Sequence, residues 1–204
     1  SFICGQESGY SDVASTGDIE MIVAVFQPHA AKIFFRMPVT LLRDRNVAVA
    51  DIENPALRDL AHRVEDSENH DICIELIENY FYKCLMYGTP YHLPRLAEVV
   101  RHINNSTQTN IRALSNIACL SEKQFSRIFS ENIGTTPKDF MRIVRLQRTL
   151  SIMQHNQGIG FAQLSYECGY TDQSHMIKEF KLFSGYTPKE YIARYSPVSD
   201  YFTF

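Results

Sequence analysis

The sequence predicts a mainly α-helical chain whose second half contains one helical unit written twice. Three observations carry this. The stretch "GTTPKDF" at 134–140 returns as "GYTPKEY" at 185–191. Before the first copy stands "ALSNIACLSEKQFSRIFSENIG", and before the second "QLSYECGYTDQSHMIKEFKLFSG". Each reads as a short helical pattern, a turn and a longer helical pattern, and such self-similarity marks a duplicated structural unit. The charge also divides. Residues 91–204 carry 13 Lys and Arg against 9 Asp and Glu, a net of +4, while residues 1–90 carry 7 against 14, a net of −7. That split predicts a polyanion partner for the second part alone.

In chain order, "SFICGQES" and "IEMIVAVFQP" read as strands, the second stopped by Pro28, so a small sheet is expected at the start. "HAAKIFFRM", "PALRDLAHRVE" and "DICIELIENYFYKCLMY" read as helices. Met37-Pro38 and Asn54-Pro55 mark helix starts, because proline fits the first helical position, where no N–H is missed. The aromatic run Tyr80, Phe81, Tyr82 and Tyr87 lies on one amphipathic helix and favours core or dimer packing over a ligand box. Asp51 and Glu53, or Glu65, Asp66 and Glu68, favour solvated faces over a catalytic pair. "YGTPYHLP" then breaks the chain with Gly88, Pro90 and Pro94, which divides it into 1–90 and 91–204.

Within the repeat Leu114 matches Leu164, Ser115 matches Ser165, Ala118 matches Cys168 and Phe129 matches Phe180. One additional residue stands in the second turn. Gly134 and Gly185 suit a left-handed helix end, having no Cβ to clash. Thr136 and Thr187 are the predicted N-caps, followed by Pro137 and Pro188, with Asp139 or Glu190 completing a capping box.

Helical spacing buries Phe125, Ile128 and Phe129 in the first long helix and Met176, Phe180 and Phe183 in the second. Lys123, Arg127 and Ser130, and Ser174, Lys178 and Lys181, then face outward, with no carboxylate expected on the central line of either face. A lone basic face is ordinarily just solvated. Two such faces, each on the second helix of a helix-turn-helix, point to phosphate anchoring by cations and base reading by arginine.

Residues from about Leu93 to Tyr195 resemble the DNA-binding domain of the AraC/XylS family of bacterial transcription regulators. The residues that carry the likeness are the two closures, "RIVRLQRTL", and above all "CGYTDQSHMIKEFKLFSGYTP". The resemblance implies a seven-helix, homeodomain-like double helix-turn-helix at 91–204, with a connecting helix over about Pro137 to Gln154. It implies that each second helix enters a major groove, Lys123, Ser126 and Arg127 reading in the first and Gln173, Ser174, Ile177 and Lys178 in the second. Gln124 and Lys181 are the nearby phosphate candidates. Cys119 stands where many members have the turn glycine, which predicts some strain there. Ile177 and Lys178 stand where serine and arginine are common, and Ile177 suits packing as well as a thymine methyl.

For residues 1–90 the resemblance implies a small α+β remnant of a sensor and dimerisation domain. The partners implied are double-stranded DNA and RNA polymerase, with a small-molecule effector and a second copy acting through this region. A chain that opens on serine is read as a piece or a processed form. The alternative reading is a DNA-repair enzyme fused to the same DNA-binding domain. It requires a reactive cysteine in electropositive surroundings, and Cys4 and Cys73 lie among apolar or acidic neighbours. Five scattered cysteines without a C-x-x-C pair predict reduced thiols in a cytoplasm. Seven histidines without metal-ligand spacing, and no run of about eighteen apolar residues, predict neither metal, cofactor nor membrane span.

Overall fold

The computed structural model describes residues 1–10, 17, 18, 20–88, 90–156 and 158–194. Thr89 of the predicted break, and Tyr195 where the resemblance ends, lie outside the described residues.

Strand β1 (Phe2–Cys4) pairs antiparallel with β2 (Asn46–Ala48), Ile3 facing Val47. Between them lie helix α1 (Ala31–Phe35) and a 3-10 turn at Val39–Leu42, the short form that the Met37-Pro38 start takes. Helices α2 (Pro55–Glu65) and α3 (His70–Met86) follow. Asn54 caps α2 by accepting from the Leu57 N–H at 3.2 Å, with Pro55 in the first turn.

The apolar run at 20–27 forms no strand. Among the described residues it pairs with no strand, and β1 and β2 form a two-stranded sheet without it. Met21, Ile22, Val23 and Val25 stay exposed. Phe26 alone turns inward, packing on Phe34, Phe35 and Phe81. Apolar composition suits a strand, but the ladder needs a second backbone to complete its hydrogen bonds.

The aromatic run on α3 divides. Tyr80 donates to the Phe34 carbonyl at 2.8 Å and Phe81 enters the N-terminal core, whereas Tyr82 and Tyr87 are exposed.

Seven helices complete the described chain: α4 (Leu93–Asn105), α5 (Ile111–Ile117), α6 (Glu122–Ile133), α7 (Pro137–His155), α8 (Phe161–Glu167), α9 (Gln173–Ser184) and α10 (Pro188–Arg194). They enclose two cores. The first joins Leu96, Val99, Leu114, Phe125 and Phe129 to Phe140 and Val144. The second joins Leu164, Met176 and Phe180 to Met153. Helix α7 therefore gives its first half to one core and its second half to the other. Among the described residues no helix is long and apolar enough to cross a membrane.

Candidate nucleic-acid interface

Both helix-turn-helix units are built by the same local rules. In α5 and α8 the hydroxyls of Ser115 and Ser165 bond back to Arg112 O and Ala162 O, at 2.9 and 2.8 Å. The turns close alike, Leu120 N–H on Ser115 O at 3.0 Å and Tyr170 N–H on Ser165 O at 2.9 Å. Ser121 caps α6 through a reciprocal box with Gln124, and Asp172 caps α9 by accepting from His175 N–H at 2.8 Å. Gly134 and Gly185 end the two helices at φ 91° and 77°. Thr136 and Thr187 then cap the following helices, accepting from Asp139 N–H at 3.1 Å and Glu190 N–H at 3.3 Å. Burial pushes the Asp139 carboxyl up, but the Thr136 hydroxyl and the Arg43 guanidinium outweigh it and hold it below the usual range.

The buried stripes match their expected positions except at Phe183, which is half-buried beneath the Arg142 guanidinium, 5.2 Å from the ring centre. On the outer faces Lys123, Gln124, Arg127, Gln173, Ser174, Lys178 and Lys181 are exposed. Ser126 is half-buried, and so is Ile177, which packs against the second core. Gln124 is committed to its cap, accepting from the Ser121 hydroxyl at 3.0 Å.

The expectation of a carboxylate-free central line fails on α6. Glu131 lies one turn beyond Arg127 and pairs with it at 3.1 Å. Four residues is the spacing at which helical side chains meet, so the pair follows from the sequence.

Glu179, on the inner side of α9, is 9% exposed. Arg142 of α7 donates to it at 2.6 Å and Arg145 at 3.3 Å. Three residues further on, Arg148 donates to the carbonyls of Asn104 at 2.8 Å and Ser106 at 3.2 Å, closing the end of α4. The buried Thr149 and Tyr170 hydroxyls lie 3.2 Å apart, and burial pushes the Tyr170 phenol up to about 12. These ties lock α7 against both units. The signal for them was "RIVRLQR", whose arginines recur every three residues along one helix.

Each second helix thus presents its first turns and outer side to solvent, while the connecting helix grips the inner side. Residues 114–194 match the model of a helix-turn-helix domain family, and residues 1–48 match a domain of unknown function (DUF6597). Residues 114–194 of this chain are a helix-turn-helix domain. The chain is similar to an uncharacterized HTH-type transcriptional regulator of Haemophilus influenzae, 33% identical over 82 residues, covering 40% of this chain and 27% of that protein. It is 23% identical over 147 residues to the uncharacterized HTH-type transcriptional regulator YidL of Escherichia coli, covering 68% of this chain and 49% of that one. The chain thus spans at most about half the length of these two relatives.

Among solved structures, the DNA-binding domain of AdpA in complex with a target DNA matches with a TM-score of 0.46 and 22% identity. The match covers 50% of this chain and 92% of that one. An AraC-type regulator from Chromobacterium violaceum matches with a TM-score of 0.46 and 23% identity, over 50% and 91%.

Outside the helix-turn-helix domain, burial and Glu7 push the Cys4 thiol up, away from the reactive thiolate that an alkyl-accepting site requires. Cys73 and Cys84 are buried.

Proposed function

We propose that the chain is a sequence-specific DNA-binding transcription regulator in which α6 and α9 each read a major-groove segment. Residues 91–204 form the reading part, and residues 1–90 belong to a sensor and dimerisation region. The observation that carries this is the repetition of one exposed helix face bearing cations and small polar side chains at the same place in two matching units. Lys123 and Arg127 occupy the first, and Gln173, Ser174 and Lys178 the second. Arg127 reads a guanine edge once it exchanges Glu131 for DNA, and Ser126 adds a short polar contact. Lys181 anchors phosphate, as does Gln124 when it leaves its cap. Ile177 supports the helix from the core side and touches a thymine methyl with its exposed part. RNA polymerase, a small effector acting through residues 1–90 and a second copy are the further partners of this reading, in a cytoplasmic setting.

Helix α7 has 19 residues, which at 1.5 Å each gives about 28 Å. The two readers should then meet DNA about one duplex turn, roughly 34 Å, apart. Both belong to one chain, so the site is asymmetric, with two short elements on one face of the duplex. Footprinting on selected DNA tests this. Inserting about five base pairs, half a turn, between the elements should abolish tight binding. Tight binding that survives would leave one reading unit, and α9 would be dropped first. Arg127→Ala should cost about 1–3 kcal/mol and relax one base position, whereas Lys181→Ala should weaken all sequences alike and flatten the salt dependence.

A further inference from the structure

The N-terminal region touches the two repeat closures at equivalent points. Gly134 and Gly185 end α6 and α9 with left-handed backbones. A Cβ on Gly134 would lie 3.0 Å from Val39 Cγ1, and one on Gly185 would lie 3.0 Å from the Tyr10 ring. The space that each glycine leaves open is taken by a side chain from residues 1–48. Each glycine therefore answers two demands, the left-handed turn and the close approach of a neighbour.

The two contacting residues belong to one braced piece. Beyond the β1–β2 ladder, Gly5 N–H bonds Arg45 O at 3.0 Å and Asp44 N–H bonds Gln6 O at 3.1 Å. The Asp44 carboxylate then accepts from Ser8 N–H at 2.6 Å and from its hydroxyl at 2.8 Å. Gly5 lies directly on the backbone of the buried Leu42, where any Cβ would run into the Leu42 carbonyl. One end of this piece reaches the first unit, where the Val39–Leu42 turn packs along α6 and Arg43 donates to Asp139 at 3.1 Å. The other end, only two residues past Ser8, lays Tyr10 on Gly185 with Gly9 beside Leu182 O.

We propose that residues 2–10 and 38–48 act as a clip that sets the relative position of the two reading helices by gripping both closures. The grip is at the C-terminal ends of α6 and α9, while Lys123 and Gln173 stand in their first turns. Each helix has 12 residues, about 18 Å, so the base-reading first turns stand clear of the clip, and of the proposed DNA contacts only Lys181, four residues before Gly185, lies near it. The clip is a positioning element for the function proposed above and rests on that reading for its DNA consequence alone.

The test uses the full chain with Tyr10→Ala and, separately, Arg43→Ala. Tyr10 is 57% exposed and Arg43 is half-buried, so neither change removes core. Amide exchange should accelerate at least about tenfold at Gly185 and Tyr191 in Tyr10→Ala, with Gly134 and Phe140 unchanged. Arg43→Ala should give the reverse pattern. Either variant should also bind spacer-altered DNA sites with less discrimination than the parent. Unchanged exchange at Gly185 in Tyr10→Ala overturns the clip. So does faster exchange with full spacer discrimination, since the grip would then position nothing. A parent chain that binds no selected DNA defeats the functional reading, and the exchange pattern still decides whether the grip exists.

Discussion

The two helix-turn-helix units share their turn hydrogen bonds and differ in what lies on the turn. Cys119 N–H bonds Asn116 O and Gly169 N–H bonds Tyr166 O, both at 3.0 Å, and both residues are left-handed, at φ 53° and 76°. Cys119 is exposed. Gly169 is covered by Thr107, from the loop between α4 and α5, and a Cβ there would strike the Thr107 carbonyl oxygen. The left-handed turn by itself accepts a cysteine at some cost in strain. Glycine is demanded only where another segment lies against it. The same contrast runs through the carboxylates of the second helices, with Glu131 exposed on Arg127 and Glu179 enclosed by Arg142 and Arg145.

The sharpest way to break this comparison is Gly169→Ala. Strain at positive φ and the collision with Thr107 together should cost about 3 kcal/mol, read from denaturant unfolding. A loss below about 1 kcal/mol would mean that the Thr107 loop yields freely and the turns are equivalent after all. Next comes Glu179→Gln, which leaves Arg145, at 22% side-chain exposure, without its carboxylate and Arg142, at 27%, with Asp139 alone. Its cost should be about 2 kcal/mol, below that of a fully buried pair. Glu131→Gln breaks an exposed pair and should change stability by less than about 0.5 kcal/mol while leaving Arg127 free for DNA. Equal losses at 131 and 179 would show that α7 does not grip the second unit through this carboxylate.

The smallest effect belongs to Cys119→Gly. Relief of about 1–2 kcal/mol of left-handed strain is offset by a freer unfolded chain, so the unfolding midpoint should rise by less than about 1 kcal/mol in equivalent stability. A clear loss would mean that the cysteine side chain makes a contact that matters.

The parts of the fold legible in the sequence are those set by neighbouring residues. Asn54-Pro55, Thr136-Pro137 and the glycines at 134 and 185 announce caps because the capping atoms lie within three or four residues. The strained turn at Cys119 was legible through the family resemblance, which places a turn glycine there. What depended on distant partners was not legible. The run at 20–27 has strand composition, yet only tertiary pairing could make it one. Tyr82 shares helix α3 with Tyr80 and Phe81, Tyr87 stands just past its end, and which of them turns inward depends on where Phe26 and Phe34 lie. The arginines of α7 recur every three residues in the sequence, but their separate ties to α9 and to the end of α4 exist only in three dimensions.

Helix α7 has one further consequence. Phe140 and Val144 belong to the first core and Met153 to the second, so one helix serves both readers. Neither unit can melt without stripping half of that helix of its neighbours, and a half-helix in water is a poor helix. Two readers joined by a flexible tether would denature in two steps. Joined this way, they should give a single calorimetric peak, and a lesion in either core should lower the transition of both.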